Sequence, residues 1–310
     1  MKVFHSSSDF KSNKKTIVTI GTFDGVHIGH KKIIDKIVNQ CKTDDLESVI
    51  LTFFPHPRMI LNENSDIKML NSIDEKCELL ANNGIQNLVI QQFDKQFSEL
   101  SAQDFVAEVL VNNLNIQKII IGHDHRFGKN RSANIDDLIV FGEKYNFEVE
   151  QISAKEIDEV AVSSTKIRNA LLDGKIALAN QYLGYNYSLS GNVVKGKQLG
   201  RTIGFPTANI EIAENYKLIP KNGVYVVESF IDNKKVSGIM NIGIKPTFEN
   251  EQLSIEVYFL DFDADLYNRE IKVSILEFIR NEQKFDSIDL LKSQIEKDKL
   301  FAIEYLAAKP

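Results

Sequence analysis

The sequence of 310 residues has no tryptophan, two cysteines and six prolines, and these shortages exclude several classes of protein. Cys41 and Cys77 form no Cys-x-x-Cys pair, so we expect neither a disulfide scaffold nor a thiolate zinc site. No apolar stretch approaches the roughly 18 residues of a membrane span, and the opening MKVFHSSSDFKSNKK lacks an apolar signal core. The pattern favours a cytoplasmic protein with no membrane partner.

Positive charge is also in short supply. The 37 Lys and Arg residues against 43 Asp and Glu leave a formal net charge of −6, which argues against a nucleic-acid partner bound through its phosphates. A local basic pocket for a small anion stays open. With 43% hydrophobic and 26% charged residues, the chain is typical of a soluble folded protein about two domains long.

The first 185 residues alternate short β-branched runs with amphipathic segments. Predicted strands are Thr16–Ile20, Ser48–Phe53, Asn87–Gln91, Lys118–Ile121 and Phe147–Ile152. Predicted helices are one carrying the apolar stripe from Ile33 to Cys41, then Ile73–Asn82, Ala102–Asn113 and Ile135–Tyr145. This alternating order predicts an α/β domain with a mostly parallel sheet and helices on both faces.

From about residue 187 strand patterns follow one another with short polar turns. Predicted strands are Ser188–Val194, Ala208–Ile212, Val224–Ile231, Val236–Ile242, Leu253–Phe262 and Glu270–Phe278. Six strands in series predict an antiparallel barrel or sandwich, and Ser287–Leu306 predicts a terminal helix packed on it. We place the domain boundary near residue 186, giving domains 1–186 and 187–310.

A glycine-rich turn follows the first predicted strand and leads into the first helix. It reads Gly-Thr-Phe-Asp-Gly-Val-His-Ile-Gly-His over residues 21–30. Such a turn lets backbone N–H groups approach a phosphate at a helix N-terminus. The imidazoles of His27 and His30 can donate hydrogen bonds to an α-phosphate as charge develops there. Zinc ligation and a purely structural role are the alternatives for these two histidines.

Two later segments fall where the rest of such a site belongs, at carboxyl ends of strands. In residues 122–131, Asp124 can recognise a ligand hydroxyl or amide, and Arg126, Lys129 and Arg131 supply positive charge; a plain surface loop is the alternative. Residues 163–168 read Ser-Ser-Thr-Lys-Ile-Arg and place three hydroxyls and a cation at a helix start, where they are either a triphosphate clamp or an ordinary N-cap.

The C-terminal half holds a second glycine-rich basic segment, residues 191–209. Its Thr207 and Asn209 project to one face if extended, and their oxygens can bind Mg²⁺ together with ATP phosphates. An ordinary turn entering a strand is the alternative. Glu256 is polar within an apolar strand, so it is either a solvent-facing residue or the carboxylate that a kinase needs near its acceptor hydroxyl.

These motifs resemble a known family. Residues 21–30 and 163–168 resemble nucleotidylyltransferase signatures, and together with residues 52–57 and 122–131 they resemble the adenylyltransferase half of bacterial bifunctional riboflavin kinase/FAD synthetases. The run Gly-Phe-Pro-Thr-Ala-Asn at 204–209, Ile-Glu-Val at 255–257 and the closing residues 279–285 resemble riboflavin kinase.

The resemblance implies a Rossmann-like nucleotidylyltransferase domain followed by a six-stranded riboflavin kinase-like barrel. It implies riboflavin, FMN and ATP as substrates, Mg²⁺ as cofactor, and His27, His30 and Glu256 as catalytic residues. Adenylyltransferase nucleotide contacts would be Gly21, Thr22, Phe23, Gly29, Asp124, Ser163, Ser164, Thr165 and Arg168. Kinase nucleotide contacts would be Gly196, Lys197, Gly200, Thr207 and Asn209, with Thr207 and Asn209 also binding the metal and Arg280 contacting the flavin.

Lys245 departs from the family, which usually has arginine before this Pro-Thr, so a bidentate contact is not expected there. Two rival functions remain. The barrel can be a regulatory flavin-binding module beside a lone adenylyltransferase, or the whole chain can be a nucleotide or flavin sensor without turnover. The presence of Thr207, Asn209 and Glu256 argues against the first rival, and intact phosphate loops in both halves argue against the second.

Overall fold

A computed structural model describes residues 1–62, 65–122, 125–152, 162–196, 199–246 and 251–309. The chain forms two compact units, Met1–Ser164 and Thr165–Pro310. Each unit has its own sheet, and the two sheets are built on different plans.

The first unit contains a parallel sheet of six strands in the order β1-β4-β3-β2-β5-β6. The strands are β1 (Lys2–Phe4), β2 (Thr16–Ile20), β3 (Glu47–Phe54), β4 (Asn87–Gln92), β5 (Ile116–Gly122) and β6 (Glu148–Ile152). Every neighbouring pair is parallel. The chain runs outward from β2 in one direction and then restarts with β5 on the other side of β2. The strand order therefore reverses between β2 and β5, which is where open α/β sheets bind ligands.

Helices cover this sheet on both faces. They are α1 (Ile28–Asp44), α2 (Pro57–Leu61), α3 (Ile73–Asn82), α4 (Lys95–Ser98), α5 (Ala102–Asp104), which a π-helix continues over Phe105–Asn113, and α6 (Ile135–Tyr145). Successive strand residues enter opposite hydrophobic cores: Val18 and Leu51 lie in one cluster, and Ile17 and Ile50 lie in the other. Both cores form because parallel strands here are apolar on both faces.

The second unit is a closed antiparallel barrel in the order β10-β11-β8-β7-β12-β9. Its strands are β7 (Ser188–Val194), β8 (Ala208–Glu211), β9 (Gly223–Ile231), β10 (Lys234–Pro246), β11 (Glu251–Phe259) and β12 (Glu270–Arg280). A short helix α9 (Leu199–Thr202) precedes β8, and the terminal helix α10 (Ile288–Ala307) packs Ala302 against Val224, Val226, Ile239 and Leu276.

The predicted fold class and its main elements are confirmed. The predictions for β2, α3, α6 and β7 match their observed bounds, and the other predicted strands differ by a few residues at their ends. The sequence analysis did not identify β1, whose three residues are too few for a pattern. It also did not identify all of α7 (Ser164–Leu172) or any of α8 (Ile176–Leu183).

Helix α8 and helix α7 from Thr165 onwards belong to the barrel unit. The Asn180 side chain donates to the Ile275 carbonyl (2.9 Å) and accepts from the Tyr187 N–H (2.7 Å), which ties α8 to β12 and to the start of β7. Lys221 N–H donates to the Leu171 carbonyl at 3.1 Å. The compact unit thus starts earlier in the chain than the predicted boundary at residue 186.

A fragment of residues 165–310 is therefore expected to be more stable than one of residues 187–310. The shorter fragment lacks Leu171, Ile176, Ala179 and Leu183, all fully buried, as well as the Asn180 bonds. Burial of each Leu or Ile contributes roughly 1.5–3 kcal/mol, so the free energies of unfolding should differ by several kcal/mol. Urea unfolding of both fragments measures this, and equal midpoints would contradict it.

Candidate active sites

The turn between β2 and α1 has an unusual backbone. Phe23, Gly25 and Val26 have φ values of 45°, 86° and 36°, in the left-handed region that only glycine adopts without strain. Strained residues of this kind persist where the surrounding structure fixes them, and they cluster at functional sites. Here the turn lies at the carboxyl end of β2, beside the reversal of strand order.

Hydrogen bonds from several elements hold this turn. The Thr22 carbonyl accepts from Lys76 Nζ (2.8 Å) and from Thr52 Oγ1 (3.2 Å). The buried Asp24 accepts from the Leu70 N–H through Oδ1 and from Ser164 Oγ through its backbone carbonyl, each at 2.9 Å. The position of the turn is thus set by β3, by α3, by the segment before α3 and by the start of α7.

The two histidines of the turn stack on each other. Their ring centroids are 3.7 Å apart with an interplanar angle of 17°, and the Phe23 ring lies 4.8 Å from that of His30. His27 is the N-cap of α1, and its Nδ1 accepts from the His30 N–H at 3.4 Å. Gly29 allows this arrangement, because a Cβ there would lie 3.2 Å from the His27 ring.

Burial keeps both rings neutral. It lowers the pKa of His27 from 6.5 to about 4, and it lowers the pKa of His30 well below 6.5, helped by neighbouring His27 and Lys76. Since Nδ1 of neutral His27 accepts a hydrogen bond, its proton lies on Nε2. His27 is therefore an N–H donor at neutral pH and is not a cation.

The structure places the other residues predicted for this site in different parts of the chain, and one of them lies outside the described residues. Gly21 donates its N–H to the Leu51 carbonyl at 3.1 Å, at the start of the turn. Ser163 directly precedes α7 and Ser164 is its first residue, whereas Thr165 and Arg168 belong to the second compact unit. Asp124 lies outside the described residues. Lys76, Asp24 and Thr52 were not predicted as site residues.

Two cavities lie among the residues of the barrel that the structure describes. One of about 310 Å³ is lined by apolar side chains including Ile203, Phe205, Val224, Ile239, Met240 and Tyr258, and by Thr207, Glu256 and Arg280. The other, of about 630 Å³, is lined by more polar residues including Lys195, Gly196, Asn209, Glu211, Lys217 and Ser254. Gly200 lines the smaller cavity, and Lys197 lies outside the described residues.

Four polar residues form a patch that reaches both cavities: Thr207, Asn209, Ser254 and Glu256, here called the polar patch. Asn209 and Glu256 are register partners on β8 and β11, so their side chains project to one face, opposite the buried Ile210 and Val257. Thr207 and Glu256 line the smaller cavity, and Asn209 and Ser254 line the larger one.

The Glu256 carboxylate is held between two hydroxyls of this patch. Thr207 Oγ1 donates to Oε2 at 3.0 Å, and Ser254 Oγ donates to Oε1 at 3.1 Å. Glu256 is only partly exposed. Glu256 therefore lies on the face of β11 that points away from the core, as strand alternation suggests. On that face it lines the smaller cavity. Ser254 was not predicted, although its spacing of two residues from Glu256 places it on the same face.

Arg280 lines the smaller cavity, and an ion pair with a buried carboxylate holds its side chain. Its guanidinium donates to the Asp298 carboxylate through Nε and Nη2 at 2.8–3.1 Å, and Asp298 is 2% exposed. The Phe285 ring lies 5.8 Å from the guanidinium carbon. Asp298 was not predicted, because an acidic residue in an amphipathic helix usually faces solvent.

The donor set suits a magnesium ion that also binds phosphates. Thr207 and Asn209 offer neutral oxygens, and Mg²⁺ usually keeps few protein ligands besides phosphates and water. A Cβ at Gly196 would overlap the Asn209 amide, so the glycine-rich segment passes directly against this residue. No cluster of three or more His, Cys, Asp or Glu residues with metal-binding geometry occurs within the described part of the chain. The side chain of Lys245 is not described.

Comparisons with known proteins agree with this division into two sites. A family model for FAD synthetase matches residues 9–166, and one for riboflavin kinase matches residues 183–306. The chain is 38% identical over 309 residues to the bifunctional riboflavin kinase/FMN adenylyltransferase of Buchnera aphidicola subsp. Acyrthosiphon pisum, covering 98% of each chain. It is 37% identical to the protein of that name from Escherichia coli K12, covering 93% of this chain and 92% of that protein.

A solved structure covers both units. It is the crystal structure of the macrolide-efflux protein from Streptococcus pneumoniae, with a TM-score of 0.87 and 31% identity over 97% of this chain and 98% of that chain. Fold, sites and matches together define a two-domain transferase. The chain belongs to the bifunctional riboflavin kinase/FMN adenylyltransferase family. No helix in the described ranges is long and apolar enough to cross a membrane.

The lowered pKa of His27 predicts a pH dependence of stability. Because His27 protonates near pH 6.5 when unfolded and near 4 when folded, the unfolded state binds more protons below pH 6.5. The first unit should therefore lose stability as pH falls from 6.5 towards 4. His27→Asn keeps a capping side chain and should lose less over that range, whereas exposed His5→Asn should behave like wild type. Thermal unfolding of full-length proteins measures this, and identical pH profiles for wild type and His27→Asn would contradict it.

Proposed function

We propose that this chain makes FAD from riboflavin in two ATP-dependent steps. The barrel phosphorylates the ribityl hydroxyl of riboflavin to give FMN and ADP. The N-terminal unit then joins FMN to AMP from a second ATP and releases pyrophosphate. The observation that most directly supports this proposal is the polar patch, which extends from an apolar cavity into a polar one and contains a carboxylate. Family membership over nearly the whole chain supports both steps.

In the first step the smaller, apolar cavity takes the flavin ring and the larger one takes ATP. Riboflavin has a broad aromatic ring, and apolar side chains line the smaller cavity. Arg280, held by Asp298, lines that cavity and can contact the flavin. Glu256 accepts the proton of the ribityl hydroxyl, and the hydroxyl oxygen attacks the γ-phosphorus of ATP. The carboxylate is oriented for this by the Thr207 and Ser254 hydroxyls.

Thr207 and Asn209 would hold Mg²⁺ beside the ATP phosphates, where the ion would neutralise charge on the phosphate oxygens. Gly196, Lys197 and Gly200 would give the phosphates room and positive charge.

In the second step the phosphate oxygen of FMN attacks the α-phosphorus of ATP, and pyrophosphate leaves. FMN phosphate is already an anion, so this step needs no strong general base. His27 and His30 supply neutral N–H donors to the α-phosphate as negative charge builds up on its oxygens, next to the N-terminus of α1. Gly21, Thr22, Phe23 and Gly29 shape the turn, and Asp124, Ser163, Ser164, Thr165 and Arg168 remain the predicted nucleotide contacts.

We assign the adenylyltransferase to residues 1–186 and the kinase to residues 187–310. The cytoplasm is the proposed location, since both cysteines are free thiols. Incubating the pure chain with riboflavin, ATP and Mg²⁺ and separating the products by chromatography tests the function. FMN and FAD should both appear. FAD only from supplied FMN would indicate a regulatory barrel, and no product would indicate a sensor.

His30→Ala should slow conversion of FMN to FAD by about 100- to 1,000-fold, because a preorganised donor to the α-phosphate is lost. Riboflavin phosphorylation should stay near wild type, since His30 lies in the first compact unit. The control is His5→Ala, which removes an exposed histidine of the same unit. Separate assays of FMN and FAD formation measure the effect, and equal loss of both activities in a folded variant would refute the assignment to two sites.

Glu256→Gln should reduce riboflavin phosphorylation by about 100- to 10,000-fold while leaving ATP binding and FAD formation from FMN intact. The amide keeps the size of the side chain and can accept from one hydroxyl, but it does not take up the ribityl proton. Glu270→Gln, at the exposed start of β12, is the control. FMN formation at saturating substrates decides the case: near-wild-type turnover would remove Glu256 from the mechanism.

A further inference from the structure

Lys76 is a buried lysine of the first unit that takes no part in the proposed chemistry of adenylyl transfer. Its side chain is 1% exposed, although lysine is almost never fully buried unless it is paired. It lies in the first turns of α3, whose start is fixed by a capping box between Ser72 and Glu75. Ile73, Cys77 and Leu80 mark the apolar face of α3, and Lys76 falls on that face at helical spacing. The sequence therefore places a charge where a core residue is expected.

The Lys76 ammonium is aimed at the turn that carries the two histidines. Nζ donates to the Thr22 carbonyl at 2.8 Å, and the same carbonyl accepts from Thr52 Oγ1. Thr22 directly precedes Phe23, the first of the residues with positive φ. The two donors thus fix the peptide group between Thr22 and Phe23, where the strained part of the turn begins.

A hydrogen bond to one carbonyl does not by itself require a charged group. Burying an ammonium is unfavourable, and burial lowers the pKa of Lys76. The opposite charge of fully buried Asp24, in the same turn, counteracts this and raises the Lys76 pKa. The charges of Lys76 and Asp24 thus favour each other, while the hydrogen bond to Thr22 connects α3 to the turn.

The charge also acts on His30. Burial, the adjacent His27 and, as the smallest of the three causes, the Lys76 charge lower the pKa of His30. The Lys76 ammonium is thus close enough to His30 to act on it electrostatically, and it contributes positive potential to the turn.

We propose that Lys76 is a positioning residue for FAD formation, which holds the Thr22 carbonyl and thereby keeps the His27–His30 pair aligned on the α-phosphate of ATP. The inference rests on the proposed role of that histidine pair. Lys76 itself touches no substrate in this scheme. It acts through the backbone of the turn.

The test uses full-length Lys76→Met, which replaces the side chain with an unbranched apolar chain one atom shorter and removes the ammonium. A misplacement of about 1 Å at a reacting centre costs up to about 100-fold in rate, so kcat for FAD formation should fall by about 10- to 100-fold. KM values for FMN and ATP should change less, and riboflavin phosphorylation should not change. Exposed Lys42→Met is the matched control. A wild-type kcat in Lys76→Met would overturn the proposal.

A second variant separates positioning from folding. Lys76→Met alone leaves the Asp24 charge buried without compensation, which is strongly destabilising. Lys76→Met/Asp24→Asn removes both charges and should regain thermal stability, while kcat for FAD formation stays low. Recovery of kcat together with stability would mean that Lys76 only balances Asp24, and the proposal would fail.

A spectroscopic measurement reads the histidines directly. Titration of isotope-labelled His30 by NMR should show a higher pKa in the double variant than in Asp24→Asn, because the nearby positive charge is gone. An unchanged His30 pKa and an unchanged imidazole shift would contradict the electrostatic effect of Lys76 on His30. His30→Ala separates a failure of the histidine site from a failure of the role of Lys76. Normal FAD formation in His30→Ala would refute the histidine site itself. Slow FAD formation in His30→Ala together with normal FAD formation in Lys76→Met would refute only the role of Lys76.

Discussion

The reversal of strand order between β2 and β5 is the constraint on which the adenylyl-transfer site depends. Parallel strands place their carboxyl ends at one edge, and only at the reversal do the connections diverge to opposite faces and leave a crevice. The turn after β2 occupies that crevice, and its strained backbone is held by contacts from β3, α3 and Ser164 of the same unit. Site geometry is thus a consequence of topology, and the histidines add chemistry to a position that the sheet has already created.

In the barrel, the site depends on the two-residue alternation of side chains along its strands. Phosphoryl transfer to a neutral hydroxyl needs donor and acceptor on either side of one base. Alternation on β8 and β11 sends Ile210, Ile255 and Val257 into the core and the polar patch to the opposite face. Because register pairs Asn209 with Glu256, a single patch meets both cavities. The neutral oxygens and the carboxylate of the polar patch suit phosphoryl transfer to a hydroxyl. The neutral imidazoles of the first unit suit the proposed adenylyl transfer.

Sequence patterns predicted the sheet, the barrel and most element bounds, because hydrophobic periodicity records which faces are buried. The short β1 and the helices α7 and α8 had too little pattern or lay at the change from one pattern to another. Site residues inside long motifs, such as His27 and Glu256, were identifiable from local spacing. Lys76 and Asp298 were not, since their roles arise from contacts with residues 54 and 18 positions away. Ser254 lies two residues from Glu256, so for this residue the local spacing did carry a signal. For Lys76 and Asp298 the available signal was a charge on an apolar helical face.

Three groups that can bind a proton, His27, His30 and Lys76, share one buried corner, where low polarity makes several positive charges mutually unfavourable. Burial lowers the pKa of all three, but lysine starts from 10.5 and histidine from 6.5, and the opposite charge of Asp24 raises the pKa of Lys76. In the proposed adenylyl transfer, the two imidazoles therefore act as neutral N–H donors to the phosphates. Neutral N–H groups that the fold already holds in place can donate hydrogen bonds to phosphate oxygens as negative charge develops there, without a reorganisation of the site during the reaction.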